Sequence, residues 1–262
     1  MPFTSRLPSP FYRDRDYDLG VSGLEELIRL DLRKAVFLER PNRFTVKASA
    51  PDGTVLLLHN RNTGKLGDLL QPGAMLYYLE GSKSNAKRTS GTLVGVAVTG
   101  EDAALIDPYL QARAFEVAWE RGLIGWLRGW TLQKKEVRYG GVRFDYAVSS
   151  SSGMSGCLEL KSAVFHDGSG ICMYPDVPSE RGRRHLKALE AIASQGMRAV
   201  MVLVAAHPLC RSFRPCASCD PIFANELKEA GRKSVEVRAV GMALKADGSI
   251  YLTSGDLPVS LS

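Results

Sequence analysis

The sequence predicts an α/β chain of the α+β kind, in which a small β-barrel is followed by a mixed sheet flanked by helices. Three observations carry this. Four short apolar runs, separated by turn residues, fall between residues 43 and 98, and short strands at that spacing suggest a small barrel. Asp107-Pro108 then opens a helix, an N-cap followed by proline at the first helical position. From Val142 onward, strand-like and helix-like runs alternate, as they do where helices cover a sheet.

Taken in order, residues 1–21 are rich in Pro, Arg, Asp and Tyr without periodicity, so an irregular arm is expected. Ser22-Gly-Leu-Glu25 has the spacing of a capping box. Leu24, Leu27, Ile28 and Ala35 follow on one helical face, which predicts a helix. Arg43–Ala48 and Thr54–His59 flank the turn Pro51-Asp52-Gly53 and read as paired strands. After the break at Asn62-Thr63-Gly64, Gly73–Leu79 and Gly91–Val98 supply further strands. A five-stranded OB-like barrel fits this size, and an SH3-like barrel would look much the same.

The helix at Pro108 carries Leu110, Ala114, Val117 and Ala118 towards Gly122. Val142–Val148 is a strand, Ser149–Gly156 a loop and Cys157–Phe165 the returning strand. Ser179 caps a helix with Leu186, Leu189 and Ala193 on its apolar stripe and Gly196 at its end. Ala199–Ala206 is almost wholly apolar, which predicts a strand buried on both faces. Asp220-Pro221 caps a helix with Phe223, Leu227 and Ala230, and Val235–Val240 alternates like an edge strand.

The apolar fraction of 45% and charged fraction of 24% are those of a globular protein. No stretch approaches the roughly 20 apolar residues of a membrane span, so no membrane partner is expected. Met1-Pro-Phe-Thr-Ser-Arg6 lacks the apolar core of a secretory signal, which points to the cytoplasm. The net charge of +6 suits a polyanionic partner. Basic residues gather at Lys83, Lys87 and Arg88, at Lys134, Lys135 and Arg138, and at Arg181, Arg183, Arg184 and Lys187; solvated faces are the alternative for each. Of five cysteines, Cys157 and Cys172 lie in apolar runs and read as small core residues. His207, Cys210, Cys216 and Cys219 have zinc-like spacing, but without a distant second pair a disulfide or free thiols are preferred to zinc.

The chemistry gathers around Asp145, Glu159 and Lys161, all inside apolar strand-like runs. Strand alternation puts Glu159 and Lys161 on one face and Leu160 on the other. Antiparallel pairing across the short intervening loop brings Asp145 beside Glu159. Two carboxylates so placed form an oxygen-rich pocket suited to Mg²⁺ or Mn²⁺, which would polarise a phosphodiester. Lys161, kept protonated by its carboxylate neighbours in the metal-free protein, would orient the attacking water or neutralise the transition state. The bland alternative is a structural Glu–Lys pair on an exposed strand.

Asp145 with Glu159-Leu160-Lys161 resembles the PD-(D/E)xK nuclease signature. The chain more specifically resembles the sugar fermentation stimulation protein A family, through pieces in the family's order from about Phe37 to Leu244. They are Arg43-Phe44, Asp52-Gly53, Asn62-Thr-Gly64, Pro72-Gly73, Lys87-Arg-Thr89, Glu136-Val-Arg-Tyr-Gly140, Arg143-Phe-Asp145, Glu159-Leu-Lys-Ser162, Pro175-Asp176, Ser179-Glu-Arg-Gly182, His185-Leu186 and Phe213-x-Pro215. The resemblance implies an OB-like domain followed by a restriction-endonuclease-like domain, with non-specific DNA binding and a role in sugar-use genes. It makes Asp145 and Glu159 the metal ligands, Lys161 the catalytic lysine and Glu136 an additional acidic residue. The parts expected are an N-terminal arm and helix over 1–36, the barrel over 37–100 and the nuclease-like domain over 101–262.

Candidate contacts to nucleic acid are Lys87, Arg88, Arg143, Arg181, Arg184 and Asn62. Arg181 and Arg184 lie near a helix N-terminus that favours phosphate; capping and a solvated face are the alternative. His185 reads as a structural histidine before a proton relay. For Asn62 and Gly64 the alternative is that they only build the turn. One of Tyr77 and Tyr78 could stack a base, the other being core, because neighbours on a strand face opposite ways. Three functions compete: a metal-dependent nuclease or an enzyme derived from one, a non-catalytic DNA-binding regulator of sugar metabolism, and a small-molecule sensor. The oligomeric state is left open, a homodimer included.

Overall fold

The computed structural model describes residues 25–81 and 89–261. Its first strands are β1 (Glu25–Arg29), β2 (Arg33–Asn42), β3 (Thr45–Ser49), β4 (Val55–His59), β5 (Met75–Glu80), β6 (Gly91–Ala97) and β7 (Asp102–Leu105). Helix α1 (Pro108–Glu120) and a 3-10 turn at Gly125–Leu127 lead to β8 (Trp130–Tyr139), β9 (Val142–Ser150), β10 (Ser155–Ser162), β11 (Phe165–His166) and β12 (Ile171–Tyr174). There follow α2 (Glu180–Ala193), β13 (Arg198–Ala205), β14 (Ser212–Pro215), α3 (Pro221–Arg232), β15 (Glu236–Lys245) and β16 (Ser249–Leu257). Among the described residues, no helix is long and apolar enough to cross a membrane.

Strands β2 to β6 close a five-stranded barrel. Antiparallel pairing runs β4-β3-β2-β5-β6, and a parallel contact of β4 with β6, at Leu58↔Gly91 and His59↔Thr92, joins the ends. Alternate residues Val46, Ala48, Leu58, Leu76 and Leu93 fill the interior. Of the two barrels left open by the strand spacing, this is the OB one.

The second sheet runs β7-β15-β13-β10-β9-β8, with β10, β13 and β15 parallel. Its two faces sort by residue parity. On β13, Val200, Val202 and Val204 pack with α1 residues such as Phe115, whereas Ala199, Met201 and Leu203 pack with Leu186 of α2 and Phe223 of α3. This is the doubly buried strand that its apolar run predicts. β7 belongs to both units, pairing with β6 on one side and β15 on the other.

Four expectations are corrected. No helix follows the capping-box sequence within the described residues: Glu25–Arg29 is a strand paired antiparallel with β16, and Ala35 lies buried in β2. The apolar spacing fits either structure over so short a stretch, and the distant partner strand decides. Second, β15 is flanked by β13 and β16, so it is no edge. The polar half of its alternation is held by ion pairs: Glu236 takes Arg198 at 2.7 and 2.9 Å, and Arg238 reaches Asp256 at 3.3 Å. Third, Tyr77 and Tyr78 are both buried, because the β5–β6 register shifts between them and cancels the alternation. Fourth, Cys172 is disulfide-bonded to Cys210, with Cα atoms 5.6 Å apart, rather than a lone core residue. Cys216 and Cys219 form a second disulfide, so the cysteine cluster is not a zinc site, and Cys157 stays single and buried.

Barrel closure depends on a glycine. A Cβ on Gly91 would stand 2.3 Å from the Leu79 carbonyl oxygen and 2.9 Å from the Tyr78 ring. Backbone cannot yield as a side-chain tip can, so Gly91→Ala is expected to lower unfolding stability by about 1–3 kcal/mol. Urea titration with an unchanged m-value checks this.

Candidate active site

The site forms where a hairpin comes apart. β9 and β10 pair from Ser149↔Ser155 to Tyr146↔Leu158, and there the ladder ends. At the opening, the Leu160 amide donates to Asp145 Oδ2 at 2.7 Å. Asp145 therefore closes the ladder with its side chain and stays beside the next residues of β10. Behind it, the Tyr146 hydroxyl donates to buried Glu116 of α1 at 3.2 Å, and Lys135 of β8 meets the same carboxylate at 2.7 Å.

Glu159 and Lys161 share a face, as alternation requires, and are only 2% and 8% exposed. Lys161 Nζ lies 2.5 Å from Glu159 Oε1. His185 Nδ1 of α2 lies 2.5 Å from the same oxygen and 3.5 Å from Lys161 Nζ. In the tautomer protonated at Nδ1, His185 donates to that oxygen. The other oxygen, Glu159 Oε2, is buried without a partner among the described residues. Burial alone would raise the Glu159 carboxyl; the His185 hydrogen bond and the charge of Lys161 outweigh it and bring it below its ordinary value. For Asp145, burial and then the charge of Glu159 push the carboxyl up to about 6, against smaller opposing effects of the Leu160 amide, Lys161 and Arg181.

The basic residues of α2 divide. Arg183 is bound to Asp220, the N-cap of α3, at 2.9 and 2.7 Å, and Asp220 also accepts from the Ser179 amide. Arg183 is thus structural. Arg181 and Arg184 are exposed, with no ion pair among the described residues. Ser179 Oγ caps the helix through the Gly182 amide.

Other candidates land elsewhere. Glu136 is level with Asp145 one strand away, to judge from the pairs Lys135↔Tyr146 and Val137↔Phe144. Its left-handed φ of 53° goes with an exposed side chain, 3.6 Å from Arg143, so it does not join the acidic pair. Arg143 is exposed and engaged there. Asn62 is buried and its amide is fully used: Nδ2 donates to the Ile106 carbonyl and Ser162 Oγ, while Oδ1 accepts the Gly64 amide. It builds a loop and ties it to the residue after Lys161; it offers nothing to nucleic acid. Lys83, Lys87 and Arg88 lie outside the described residues.

Two motifs that look separate in sequence meet here. Asp176 accepts the Leu66 amide at 3.0 Å, and a Cβ on Gly64 would stand 2.7 Å from that carboxylate. The loop Asn62-Thr63-Gly64 of the barrel therefore seats on Pro175-Asp176, the approach to α2. Sequence reasoning underweighted His185, whose signal was its position one helical turn after Arg181.

An OB-order barrel joined to a mixed sheet with an acidic, lysine-containing hairpin defines a two-domain protein of the OB and nuclease-like fold. More particularly, the chain belongs to the sugar fermentation stimulation protein family. The family model for the SfsA N-terminal OB domain matches residues 38–106, and that for the sugar fermentation stimulation protein RE domain matches residues 109–248. A sugar fermentation stimulation protein homolog of Symbiobacterium thermophilum is 32% identical, covering 92% of this chain and 100% of its own. The homolog of Pyrococcus furiosus is 38% identical, covering 86% and 95%. The solved structure of Pyrococcus furiosus SfsA matches with a TM-score of 0.84 at 34% identity, over 90% of this chain and 99% of that one.

The Asp145 carboxyl has a testable consequence in the metal-free protein. With its folded value near 6 and an unfolded value of about 3.9, the native state keeps a proton that the unfolded chain has released. This group's stability is therefore present at low pH and is lost as pH rises between about 4 and 6. Glu159, shifted down, acts oppositely: its contribution is present above about 4.3 and is lost as pH falls. Asp145→Asn is expected to flatten the decline above about pH 4. Thermal midpoints in chelator, wild type against variant, check this; parallel curves would refute it.

Proposed function

We propose that this protein is a divalent-metal-dependent phosphodiesterase acting on nucleic acid, DNA foremost, with Asp145 and Glu159 as the ligands of Mg²⁺ or Mn²⁺. The observation that carries the proposal is Glu159 Oε2, a buried carboxylate oxygen without a partner among the described residues, beside a second carboxylate. Oxygen donors of this kind suit hard cations. Among the described residues no three of His, Cys, Asp or Glu gather in a metal-holding group, so further ligands would come from backbone, water and substrate, as they commonly do for Mg²⁺. The related Pyrococcus furiosus structure is a complex with Ca²⁺, another cation that takes oxygen ligands.

When bound, such an ion polarises the phosphodiester and stabilises charge on its oxygens. The chain's own residues do the rest. His185 and Lys161 fix Glu159 through one oxygen and leave the other free. The Lys161 ammonium offers a positive charge where phosphate charge would develop. Arg181 and Arg184 face solvent at the start of α2, where the helix dipole also favours phosphate.

The test is cleavage of labelled single- and double-stranded DNA and RNA, with Mg²⁺ or Mn²⁺ against chelator, alongside a binding titration. Lys161→Ala is expected to reduce cutting by about a hundredfold or more while keeping affinity. Replacing Arg181 and Arg184 by Ala is expected to weaken binding and lower the salt slope by about one per residue. Tight binding with no metal-dependent cutting by wild type would instead support a DNA-binding regulator that retains a nuclease fold.

A further inference from the structure

With Tyr77 and Tyr78 buried, the barrel's accessible aromatic is Phe44, at the tip of the β2–β3 hairpin and 45% exposed. Lone surface aromatics are ordinary, so exposure by itself assigns nothing. The surroundings do. The Arg43 guanidinium lies over the Phe44 ring, 4.7 Å from its centroid, which makes a cation–aromatic pair.

The pair sits on a fixed support. Asn42 Oδ1 accepts the Phe44 amide at 2.9 Å, and the Asn60 amide donates to the Phe44 carbonyl at 2.8 Å. Arg40 donates to the carbonyls of Arg43, Asn62, Gly64 and Lys65, stapling the hairpin tip to the neighbouring loop. Through Asn62 that loop reaches Ser162, the residue after Lys161. The aromatic tip and the acidic hairpin are therefore held together by a continuous set of hydrogen bonds. Charge points the same way: Arg43 and Lys65 are both exposed, and neither has an ion pair among the described residues.

We propose that Arg43 and Phe44 form a stacking site for an unpaired nucleotide, so that the barrel holds single-stranded nucleic acid beside the nuclease-like domain. A phenyl face under a guanidinium presents a flat surface to a nucleobase, and the free cations at Arg43 and Lys65 complement its phosphates. Paired bases are already stacked and cannot offer their faces, so the site discriminates against duplex. The proposal rests on the nucleic-acid reading above, but not on cleavage.

The experiment is equilibrium binding of the full chain, in chelator so that nothing is cut. The probes are a fluorescent oligothymidylate of about fifteen nucleotides and a duplex of the same length. Phe44→Ala is expected to weaken single-strand binding by about five- to hundredfold and to leave duplex affinity and the single-strand salt slope unchanged. Phe44→Tyr restores binding, and Arg43→Gln lowers the salt slope by about one. Thermal melts confirm that the exposed positions leave folding intact. Unchanged single-strand binding in Phe44→Ala, an equal loss on both probes, or failure of Phe44→Tyr to restore affinity would each overturn the proposal. So would loss of self-association in Phe44→Ala by sedimentation without loss of oligonucleotide affinity, which would give the face to a second copy. Wild-type protein that binds neither probe would remove the nucleic-acid reading itself, a result distinct from all of these.

Discussion

A carboxylate taken out of water has to be matched by charge or hydrogen bonds, because an unmatched one costs on the order of several kcal/mol. Glu159 meets that constraint on one oxygen only, with Lys161 and His185 both 2.5 Å from Oε1. The two partners arrive by different routes. Lys161 is placed by strand geometry, two residues along β10. His185 is placed by the docking of α2, which depends in turn on Ser179 at its start and on the Arg183–Asp220 pair that joins it to α3. The seat of a helix and the charge state of a strand residue are thus one problem with one solution.

The same economy holds at the junction of the domains. Asn62 spends its whole side chain on Ile106, Gly64 and Ser162. Ser162 also accepts from Gln111 of α1 at 2.9 Å. Asp107 caps α1 through the Tyr109 and Leu110 amides while holding Arg61 at 2.9 Å. Polar groups that would be costly to bury singly are buried as a connected set, and that set lies against the end of β10.

How much of this the sequence disclosed follows from how local each signal is. Asp145, Glu159 and Lys161 were legible because strand alternation and a short hairpin loop suffice to bring them together. The caps at Asp107, Ser179 and Asp220 were legible for the same reason. His185 was undervalued because its role exists only once α2 has docked. Glu136 was misplaced because a left-handed residue in β8 lies in the exposed run Gln133–Glu136 and carries no local signature. That run of polar residues also hid β8, an outer strand without apolar alternation. β1 required a partner more than 200 residues away, Ile28↔Ile250, which no window of sequence contains. β15 passed for an edge because charged residues in ion pairs look, in sequence, like charged residues in water.

The shared strand β7 bears on how this protein descends. It pairs with β6 through Gly95↔Leu105 and with β15 through Ala103↔Leu244, and the Leu105 amide reaches the Ala206 carbonyl. The boundary between the two family models, at residues 106 to 109, leaves β7 with the barrel. A recombination event there would bare the outer edge of β7 in one product and part of β15 in the other, and unpaired edges invite aggregation. Selection would then act on the barrel and the nuclease-like sheet as a single heritable block, each half retained in part because the other cannot be lost.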